Sequence, residues 1–473
     1  MDNWVNFINY NYVLYFGCGG KMNIIIVGCG KVGTAVAEQL DREGHDITVI
    51  DLDGDALRKV TDTADVMGVE GNGVVHSVLT EAGIEDAEVF IAMTESDELN
   101  LLSCLIAKKT SACQTIARVR NPVYVSERNF IKEKLGVSMI VNPELEAANE
   151  ISRLFTIPSA MEVDIFDRGK IELLKMMLPY GSPLDGMQIK NVLGKLSGKI
   201  LICAIERESQ VIIPTGDDYL KSGDKISFVT THKDASAFFK KAGVGKSHIK
   251  YIMIVGGGKI SFYLTKKLCE YGFKVKIIEK DKERCKYLDS TLPSNVVVIN
   301  GDGSDRRLLL EEDIENADGF AAITDFDEEN VMLSYFVSSN FETKTVTKIN
   351  KLDFADVLDK LAIGSVVYPK DITAEMIISY VRALENSQGS NVQTLYNIVG
   401  GKAQALEFLV KAKSKVTDVP LCDLKTKPGV ILCCINRGGK AIIPSGQDEI
   451  YVGDTVVVVT TETNLGDIKD ILL

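Results

Sequence analysis

Near its start the sequence reads Ile24-Ile25-Ile26-Val27-Gly28-Cys29-Gly30-Lys31-Val32-Gly33. The consecutive apolar residues predict a buried strand, and the GxGxxG glycines after them predict a tight turn that opens a helix. One such pattern alone is weak evidence. A second copy, Ile252-Met253-Ile254-Val255-Gly256-Gly257-Gly258-Lys259-Ile260-Ser261, follows with its first glycine 228 residues further on (256 minus 28). The chain therefore carries two turns of a kind that holds nucleotides in other proteins.

Further landmarks recur at one common offset. A spacing of 230 residues separates Gly71-Asn72-Gly73 from Gly301-Asp302-Gly303, Thr94 from Thr324, Arg118 from Lys348, Ile212-Ile213-Pro214 from Ile442-Ile443-Pro444, and Gly223-Asp224 from Gly453-Asp454. One offset held over all these landmarks indicates two tandem copies of a single unit.

Each unit changes character along its length. Apolar runs alternate with helical stretches up to Val141, including a single helix predicted over Val123–Lys134. This alternation predicts a doubly wound parallel sheet, a Rossmann-like α/β domain. Short β-rich runs with turn signals follow at about 160–244, and they predict a small α+β domain.

The domain organisation follows from the repeat. We predict an N-terminal extension at 1–21, Rossmann-like domains at 22–143 and 245–370, and a connecting helix with a small α+β domain at 144–244 and 371–473. Met22 directly precedes the first strand, which favours it as the natural start of the protein. The alternative for residues 1–21 is a short ordered arm that packs on a neighbour.

The composition argues against several classes of function. A net charge of −13 disfavours nucleic acid as a partner, because phosphate backbones require clustered Lys and Arg. The ten cysteines include no CxxC pair and the four histidines are scattered, so no metal site is predicted. No apolar run is long enough to predict a membrane span.

The first copy contains a complete set of candidate nucleotide contacts. Gly28 permits the bend, Gly30 admits a pyrophosphate, Gly33 lets the helix pack on the strand, and Cys29, Lys31 and Val32 complete the loop at the helix N-terminus. Asp51 ends the second strand and is predicted to accept hydrogen bonds from ribose hydroxyls, which favours NAD over NADP; Asp53 is the rival. Asn72, Gly73, Thr94 and Arg118 follow later strands and are candidates for adenine, ribose or phosphate contacts.

Structural interpretations of the same residues stay open. Gly73 can serve only to shape a turn, Thr94 can cap the helix that begins near Ser96, and Arg118 can pair with a carboxylate. Cys29 is favoured as a small filler whose amide faces the ligand over a redox switch.

The second copy supplies the equivalent positions with two changes. Its candidates are Gly256, Gly257, Gly258, Lys259, Ile260, Glu279, Asp302, Thr324 and Lys348. Ser261 replaces the third glycine, and Glu279 replaces Asp51 with an acid that is one methylene longer. We therefore predict a second site of weaker or altered selectivity.

The order of these motifs resembles a known family. The chain resembles the RCK (KTN) domains that regulate potassium channels and transporters. The resemblance rests on GxGxxG, Val49-Ile50-Asp51, Gly-Asn/Asp-Gly, Thr-x-x-Asp-x-x-Asn at 94–100 and 324–330, and Arg-Val-Arg-Asn-Pro at 118–122. Ile-Ile-Pro-x-Gly and Gly-Asp resemble their C-terminal companion domain. Two such pairs over 22–473 resemble the TrkA family, the regulatory subunits of Trk potassium uptake systems.

This resemblance implies a function without catalysis. It implies a cytoplasmic protein, peripheral on the inner face of the cell membrane, whose lobes form a homo-oligomeric ring (a dimer or tetramer of tandem subunits) on a TrkH/TrkG-type potassium-translocating subunit. NAD (NAD+ or NADH), or ATP or ADP, would bind the lobes and shift the ring. Two hypotheses compete with it. One is an NAD-dependent oxidoreductase with unidentified catalytic residues, and the other is a scaffold whose second lobe serves only assembly.

Overall fold

The computed structural model describes residues 21–166, 171–194, 200–208, 210–243, 249–350, 358, 361, 363–386, 392–398, 403–462 and 465–473. The predicted N-terminal extension therefore lies outside the described residues, apart from Lys21. Residues 244–248, where the sequence predicts the boundary between the two halves, lie outside them as well.

The first half begins with a six-stranded sheet whose strands are all parallel. Its strands are β1 (Asn23–Val27), β2 (Asp46–Asp51), β3 (Met67–Glu70), β4 (Val89–Ala92), β5 (Gln114–Arg118) and β6 (Met139–Val141), in the order β3-β2-β1-β4-β5-β6. Its helices are α1 (Lys31–Arg42), α2 (Gly54–Thr61), α3 (His76–Glu81), α4 (Asp97–Thr110), α5 (Pro122–Ser126) and α6 (Arg128–Leu135). Strand β1 is buried because helices cover both faces of the sheet. The predicted doubly wound domain is confirmed.

The single helix predicted over Val123–Lys134 is wrong. Two short helices, α5 and α6, replace it, because Glu127 between them leaves helical geometry with φ −96° and ψ 16°. Asn121 starts the first of them by accepting a hydrogen bond from the Val123 amide, and Pro122 follows in the first helical position, where its missing N–H costs nothing.

A helix and a small antiparallel sheet complete the first half. Helix α7 (Pro143–Thr156) precedes β7 (Glu162–Phe166), β8 (Ile171–Met177), α8 (Ile189–Gly194), β9 (Ile200–Arg207), β10 (Gln210–Ile212), β11 (Lys225–Thr230) and α9 (His232–Lys241). The sheet order is β10-β9-β11-β8-β7, and every pairing is antiparallel.

The second half repeats this architecture. The strands of its parallel sheet are β12 (Tyr251–Val255), β13 (Lys274–Glu279), β14 (Val297–Asn300), β15 (Gly319–Ala322), β16 (Lys344–Lys348) and β17 (Ser365–Val367), in the order β14-β13-β12-β15-β16-β17. The helices between these strands are α10 (Lys259–Glu270), α11 (Lys282–Thr291), α12 (Arg306–Glu311) and α13 (Asp327–Asn340). Helix α14 (Pro369–Asn386) then leads to β18 (Val392–Ile398), β19 (Ala403–Leu409), β20 (Val430–Arg437), β21 (Lys440–Ile442) and β22 (Thr455–Thr460), in the order β18-β19-β22-β20-β21. Both sheets have the strand order of their counterparts in the first half.

The helix after each parallel sheet packs on the opposite half. Ile151 and Phe155 of α7 share a hydrophobic core with Leu264 of α10. Ile377 and Val381 of α14 share one with α1. This reciprocal exchange fixes the two parallel-sheet domains, called the first and second lobes below, face to face.

A buried ion pair supports the contact of α14 with the first lobe. The Arg382 Nε donates to Glu43 Oε2 at 2.9 Å, and its Nη2 pairs with the other carboxylate oxygen. Both side chains are about nine-tenths buried, with exposed fractions of 12% and 10%. A bidentate guanidinium–carboxylate pair fixes orientation as well as distance.

The two small sheets also pack on each other. Leu173, Cys203 and Val229 share a buried cluster with Cys433 and Val457, and the Sγ atoms of Cys203 and Cys433 lie 3.1 Å apart. The repeated Gly-Asp landmarks of these domains are structural. Buried Asp224 accepts two hydrogen bonds of 2.7 Å from Arg207, and Asp454 pairs with Arg437 in the same way.

Candidate functional site

A cleft of about 850 Å³ lies between the two lobes. From the first lobe it is lined by Gly28, Cys29, Gly30, Lys31, Val32, Asp51, Asn72, Gly73, Thr94 and Arg118. From the second lobe it is lined by Gly258, Lys259, Ile260 and Lys348, together with Asp325 and Asn350. The structure thus gathers ten of the eleven predicted residues of the first copy around one space, and Gly33 lies outside it.

The three glycines of the first loop have three different reasons to be glycine. Gly28 has φ +101°, a conformation that other residues rarely adopt, and a Cβ there would lie 2.9 Å from the Thr94 nitrogen. A Cβ on Gly33 would lie 1.9 Å from the Gly28 carbonyl oxygen, so this glycine allows α1 to approach β1. A Cβ on Gly30 would meet nothing within 4 Å, which leaves the helix N-terminus open to the cleft.

Asp51 sits at the tip of β2 and organises the loop. Its carboxylate accepts the Cys29 N–H at 2.6 Å and the Asp53 N–H at 3.0 Å. Asp53 itself caps α2, because its Oδ1 accepts the Asp55 N–H at 2.9 Å. Both carboxylates line the cleft, but only Asp51 contacts the glycine loop, which favours Asp51, the residue that the strand pattern favours.

The Cys29 thiol is held in its protonated form. Burial and, to a smaller extent, the Asp51 carboxylate raise the pKa of the Cys29 thiol to about 12. Reactive thiols have a lowered pKa, so this environment favours the interpretation of Cys29 as a small filler.

Arg118 carries the clearest sign of a missing anionic partner. Its buried Nε has no hydrogen-bond partner among the described residues, and its Nη1 makes only long contacts of 3.5 Å to the carbonyl oxygens of Met93 and Thr94. Burial and the neighbouring Arg120 lower the pKa of the Arg118 guanidinium. A phosphate in the cleft would relieve both the desolvation and the repulsion between the two cations.

Thr94 and the rest of its motif join the ends of two strands. The Asn100 Oδ1 accepts both the N–H and the hydroxyl of Thr94, at 2.8 and 2.7 Å, and the Asn100 Nδ2 donates to the Arg118 carbonyl. Asp97 accepts the Arg120 N–H at 2.9 Å. The helix cap is Ser96, which accepts the Leu99 N–H, so the open interpretation of Thr94 as the cap is wrong.

The second copy contributes to the cleft only in part. Gly256, Gly257, Glu279, Asp302 and Thr324 do not line it. Lys348, the counterpart of Arg118, does line it, but its Nζ already pairs with Asp325 Oδ1 at 3.2 Å. Arg118, whose Nε has no partner among the described residues, thus has a paired equivalent in Lys348 of the second lobe.

The glycine loop of the second lobe keeps the same backbone design. Gly256 has φ +100°, and Glu279 accepts the Gly257 N–H at 2.6 Å and the Asp281 N–H at 2.7 Å. The longer acid thus makes the same contacts as Asp51. The Asp302 carboxylate is occupied by the amide and hydroxyl of Ser304, and the latter bond is the main reason that the pKa of Asp302 is lowered. Asp302 is therefore a turn residue here.

Sequence reasoning missed several residues of the cleft. Arg120, Glu144, Asn350 and Lys370 line it without having been predicted. Arg120 could have been found from its place two residues after Arg118. Lys370 could not, because it begins the α14 helix that crosses from the other half.

The residues of this site have the chemistry of an anion-binding site. An open helix N-terminus, a carboxylate at the second strand tip and a guanidinium whose Nε has no partner among the described residues fit a nucleotide, with its phosphates on the helix and its ribose at Asp51. Among the described residues, no cluster of three or more metal-ligating side chains occurs. Across the same residues, no helix has the length and apolar character needed to cross a bilayer.

Two protein-family models together match most of the chain, each of them twice. Residues 24–143 and 252–369 match the family model of the TrkA-N domain. Residues 173–243 and 405–473 match that of the TrkA-C domain.

Among curated proteins, similar relatives carry one description. The Trk system potassium uptake protein TrkA homolog 1 of Methanosarcina mazei is 30% identical over 456 residues, covering 95% of this chain and 99% of the relative. The Trk system potassium uptake protein TrkA of Halomonas elongata is 32% identical over 443 residues, covering 92% of this chain and 95% of the relative.

Among solved structures, the fold is shared with the GsuK channel and its RCK domain. The GsuK channel bound to NAD superposes with a TM-score of 0.60 at 17% identity, covering 96% of this chain and 79% of the channel chain. The GsuK RCK domain superposes with a TM-score of 0.60 at 16% identity and covers 94% of both chains. At these identities the likeness concerns the fold.

Proposed function

Because this chain belongs to the TrkA family, we propose that it is the regulatory subunit of a potassium uptake system and that it binds NAD(H), ATP or ADP between its two lobes. The named relatives are potassium uptake proteins, and a structural neighbour with the same fold binds NAD. The proposed role is control by binding, without chemical change of the nucleotide.

One observation carries this proposal. The open helix N-terminus after Gly30 and the helix N-terminus after Gly258 line the same cleft, one from each lobe. A nucleotide bound by the first lobe therefore contacts the surface of the second. Its binding energy can bias the relative arrangement of the lobes wherever the two arrangements offer it different contacts.

We extend the proposal to the nucleotide contacts. The phosphates would lie on the N-terminus of α1 near Lys31, with Arg118 as a further cation. Ribose hydroxyls would donate to Asp51. A 2′-phosphate would meet the carboxylate of Asp51, which supports NAD over NADP as the dinucleotide.

The proposed ring requires surfaces that a second copy would cover. Helices α4 and α13 occupy equivalent places in the two lobes and carry exposed apolar residues. Leu102 is 48% exposed, and its counterpart Met332 is 66% exposed. Tyr335, one turn further along α13, is 45% exposed. Such exposed apolar residues support assembly with a second copy into a homo-oligomeric ring. We propose that this ring lies on the cytoplasmic face of a TrkH/TrkG-type membrane subunit.

The test combines binding with transport. Calorimetry with NAD, NADH, ATP and ADP should show binding to the full chain. Proteoliposomes that contain the potassium-translocating subunit should then show a potassium flux that depends on both this chain and the nucleotide. Binding of none of the four nucleotides would remove the basis of the proposal. Steady nicotinamide absorbance during incubation with NADH and a metabolite extract should distinguish a binding role from an oxidoreductase.

A further inference from the structure

The two lobes differ at one position beside their glycine loops. Asp53 and Asp281 cap α2 and α11, the equivalent second helices of the lobes. Three residues after each cap stands Ala56 in the first lobe and Arg284 in the second. Ala56 lines the cleft with the loop residues Cys29 and Gly30. At the position where the first lobe has only the methyl group of Ala56 at the cleft wall, the second lobe therefore has the long, positively charged side chain of Arg284.

The Arg284 guanidinium lies on the glycine loop of its own lobe. Its Nε donates to the Gly257 carbonyl at 2.6 Å, and its Nη2 donates to the Gly258 carbonyl at 3.0 Å. Its Cζ lies 4.8 Å from the ring centroid of Tyr287. Two hydrogen bonds and one aromatic ring thus hold the guanidinium across the second glycine loop. The equivalent loop of the first lobe is open to the cleft.

Residue differences at two positions between the lobes explain why Arg284 binds the loop carbonyls. In the first lobe the Cys29 carbonyl accepts the Thr34 hydroxyl at 3.1 Å, a donor on α1 behind the loop. In the second lobe the equivalent of Thr34 is Phe262, which has no donor. The Gly257 carbonyl receives its hydrogen bond from Arg284 instead, which reaches it from the neighbouring helix α11.

The rim of the second site is also bridged. Lys280, directly after β13, places its Nζ 5.2 Å from the ring centroid of Phe326, in the loop after β15. These two strands flank β12, so the contact spans the mouth of the crevice where a Rossmann fold binds its ligand. In the first lobe the counterpart of Lys280 is Leu52, which is 67% exposed and lines the open cleft.

We propose that Arg284 is a built-in occupant of the second lobe's nucleotide position, so that the chain binds nucleotide preferentially in the first lobe. This inference rests on the proposed function. A nucleotide entering the second lobe must displace a cation from two charge-assisted hydrogen bonds, whereas the equivalent position of the first lobe is Ala56, which has no side-chain donor. We expect the second site to bind at least about tenfold more weakly than the first.

The test is the number of nucleotides bound per full-length chain, measured by calorimetry with NADH. Wild type should bind one NADH per chain in the range of the tight site, and Arg284→Ala should bind two. In the Gly30→Val background, which fills the first site, Arg284→Ala should restore one binding event to a chain that otherwise has none. Arg284→Lys keeps the charge but cannot donate from the same fork, so it should also gain the second event and guards against a folding defect of the alanine variant.

The outcomes separate the two proposals. Two equally tight sites in wild type, or one site in Arg284→Ala, would overturn the role of Arg284 and leave the proposed function standing. Loss of binding in Arg284→Ala with retention in Arg284→Lys would also overturn it, because the cation would then serve the ligand. Absence of binding of NADH, NAD, ATP and ADP to wild type and to every variant would instead contradict the proposed function.

Discussion

Gly30 and Gly33 stand three residues apart in one loop, yet the structure predicts opposite consequences for changing them. Gly30 has extended backbone angles (φ −69°, ψ −178°), and a Cβ there would meet nothing within 4 Å. Gly30→Val should therefore cost only about 0.5–1 kcal/mol of stability, mostly from a poorer helix cap. A Cβ on Gly33 would lie 1.9 Å from a backbone oxygen, so Gly33→Ala should cost about 2–4 kcal/mol.

Nucleotide binding should follow a different order. The valine at position 30 fills the space above the helix N-terminus and removes the approach of the phosphates to its N–H groups. Loss of two charge-assisted hydrogen bonds, each worth about 1.5–3 kcal/mol, corresponds to an affinity at least about 100-fold lower. Gly30→Val should thus abolish binding in calorimetry while its melting curve in circular dichroism stays close to that of wild type.

Gly33→Ala is the matched control, since it should lower the melting temperature of its lobe by about 5 °C or more. Wild-type affinity in Gly30→Val would refute the assignment of this cleft to the phosphates. An unchanged melting curve in Gly33→Ala would refute the close approach of α1 to the loop.

Four further predictions concern other parts of the molecule. Arg118→Ala should weaken NADH binding by about tenfold or more in calorimetry without loss of stability, because the guanidinium Nε has no partner among the described residues to lose. Arg382→Ala should lower the free energy of unfolding by about 3–5 kcal/mol in urea titrations, because it leaves a buried carboxylate unpaired; a loss below about 1 kcal/mol would mean that α14 is held otherwise. Burial chiefly lowers the pKa of His45 from 6.5, so the neutral ring stabilises the fold above that value. Stability is lost as pH falls below about 6.5, and His45→Gln should reduce that loss in melting curves between pH 7.5 and 5. Cys203 and Cys433 should resist a thiol reagent in the native chain and react only on unfolding, measured by mass spectrometry, because both are fully buried and burial raises the pKa of the Cys433 thiol; rapid labelling of either in the native chain would contradict their packing.

The exchange of α7 and α14 couples the two lobes on either side of the cleft. Each helix follows the last strand of one parallel sheet and packs on the other lobe, so a movement of one lobe also moves a helix connected to the other. Pro143 at the start of α7 and Pro369 at the start of α14 both line the cleft. A ligand there lies beside the roots of both exchanged helices, a suitable place from which to bias the position of the small domains.

The duplicated lobes have equal folds but unequal sites. The backbone of both loops is set by the same glycine with positive φ and the same carboxylate contact to the loop amide. What differs is side-chain chemistry at the rim. Arg118 lacks a partner for its Nε among the described residues, whereas Lys348 pairs with Asp325. This asymmetry fits the proposed preference of the nucleotide for the first lobe.

The sequence by itself determined the doubly wound fold and its repetition, and it predicted the residues of the first candidate site. Those features are local, because glycine turns, strand tips and a fixed offset are written along the chain. Asp51 could be placed at the second strand tip, whereas the sequence left Thr94 open as the cap of the helix that Ser96 caps in the structure.

Only the tertiary structure decided which lobe each connecting helix covers, that the N-termini of α1 and α10 line one cleft, and that Arg284 hydrogen-bonds to the second glycine loop. These depend on contacts between residues far apart in sequence, such as Arg382 with Glu43, or on where a flexible side chain comes to rest. Hydrophobic periodicity identifies an apolar helix face but not the surface that will bury it, since burial is non-directional.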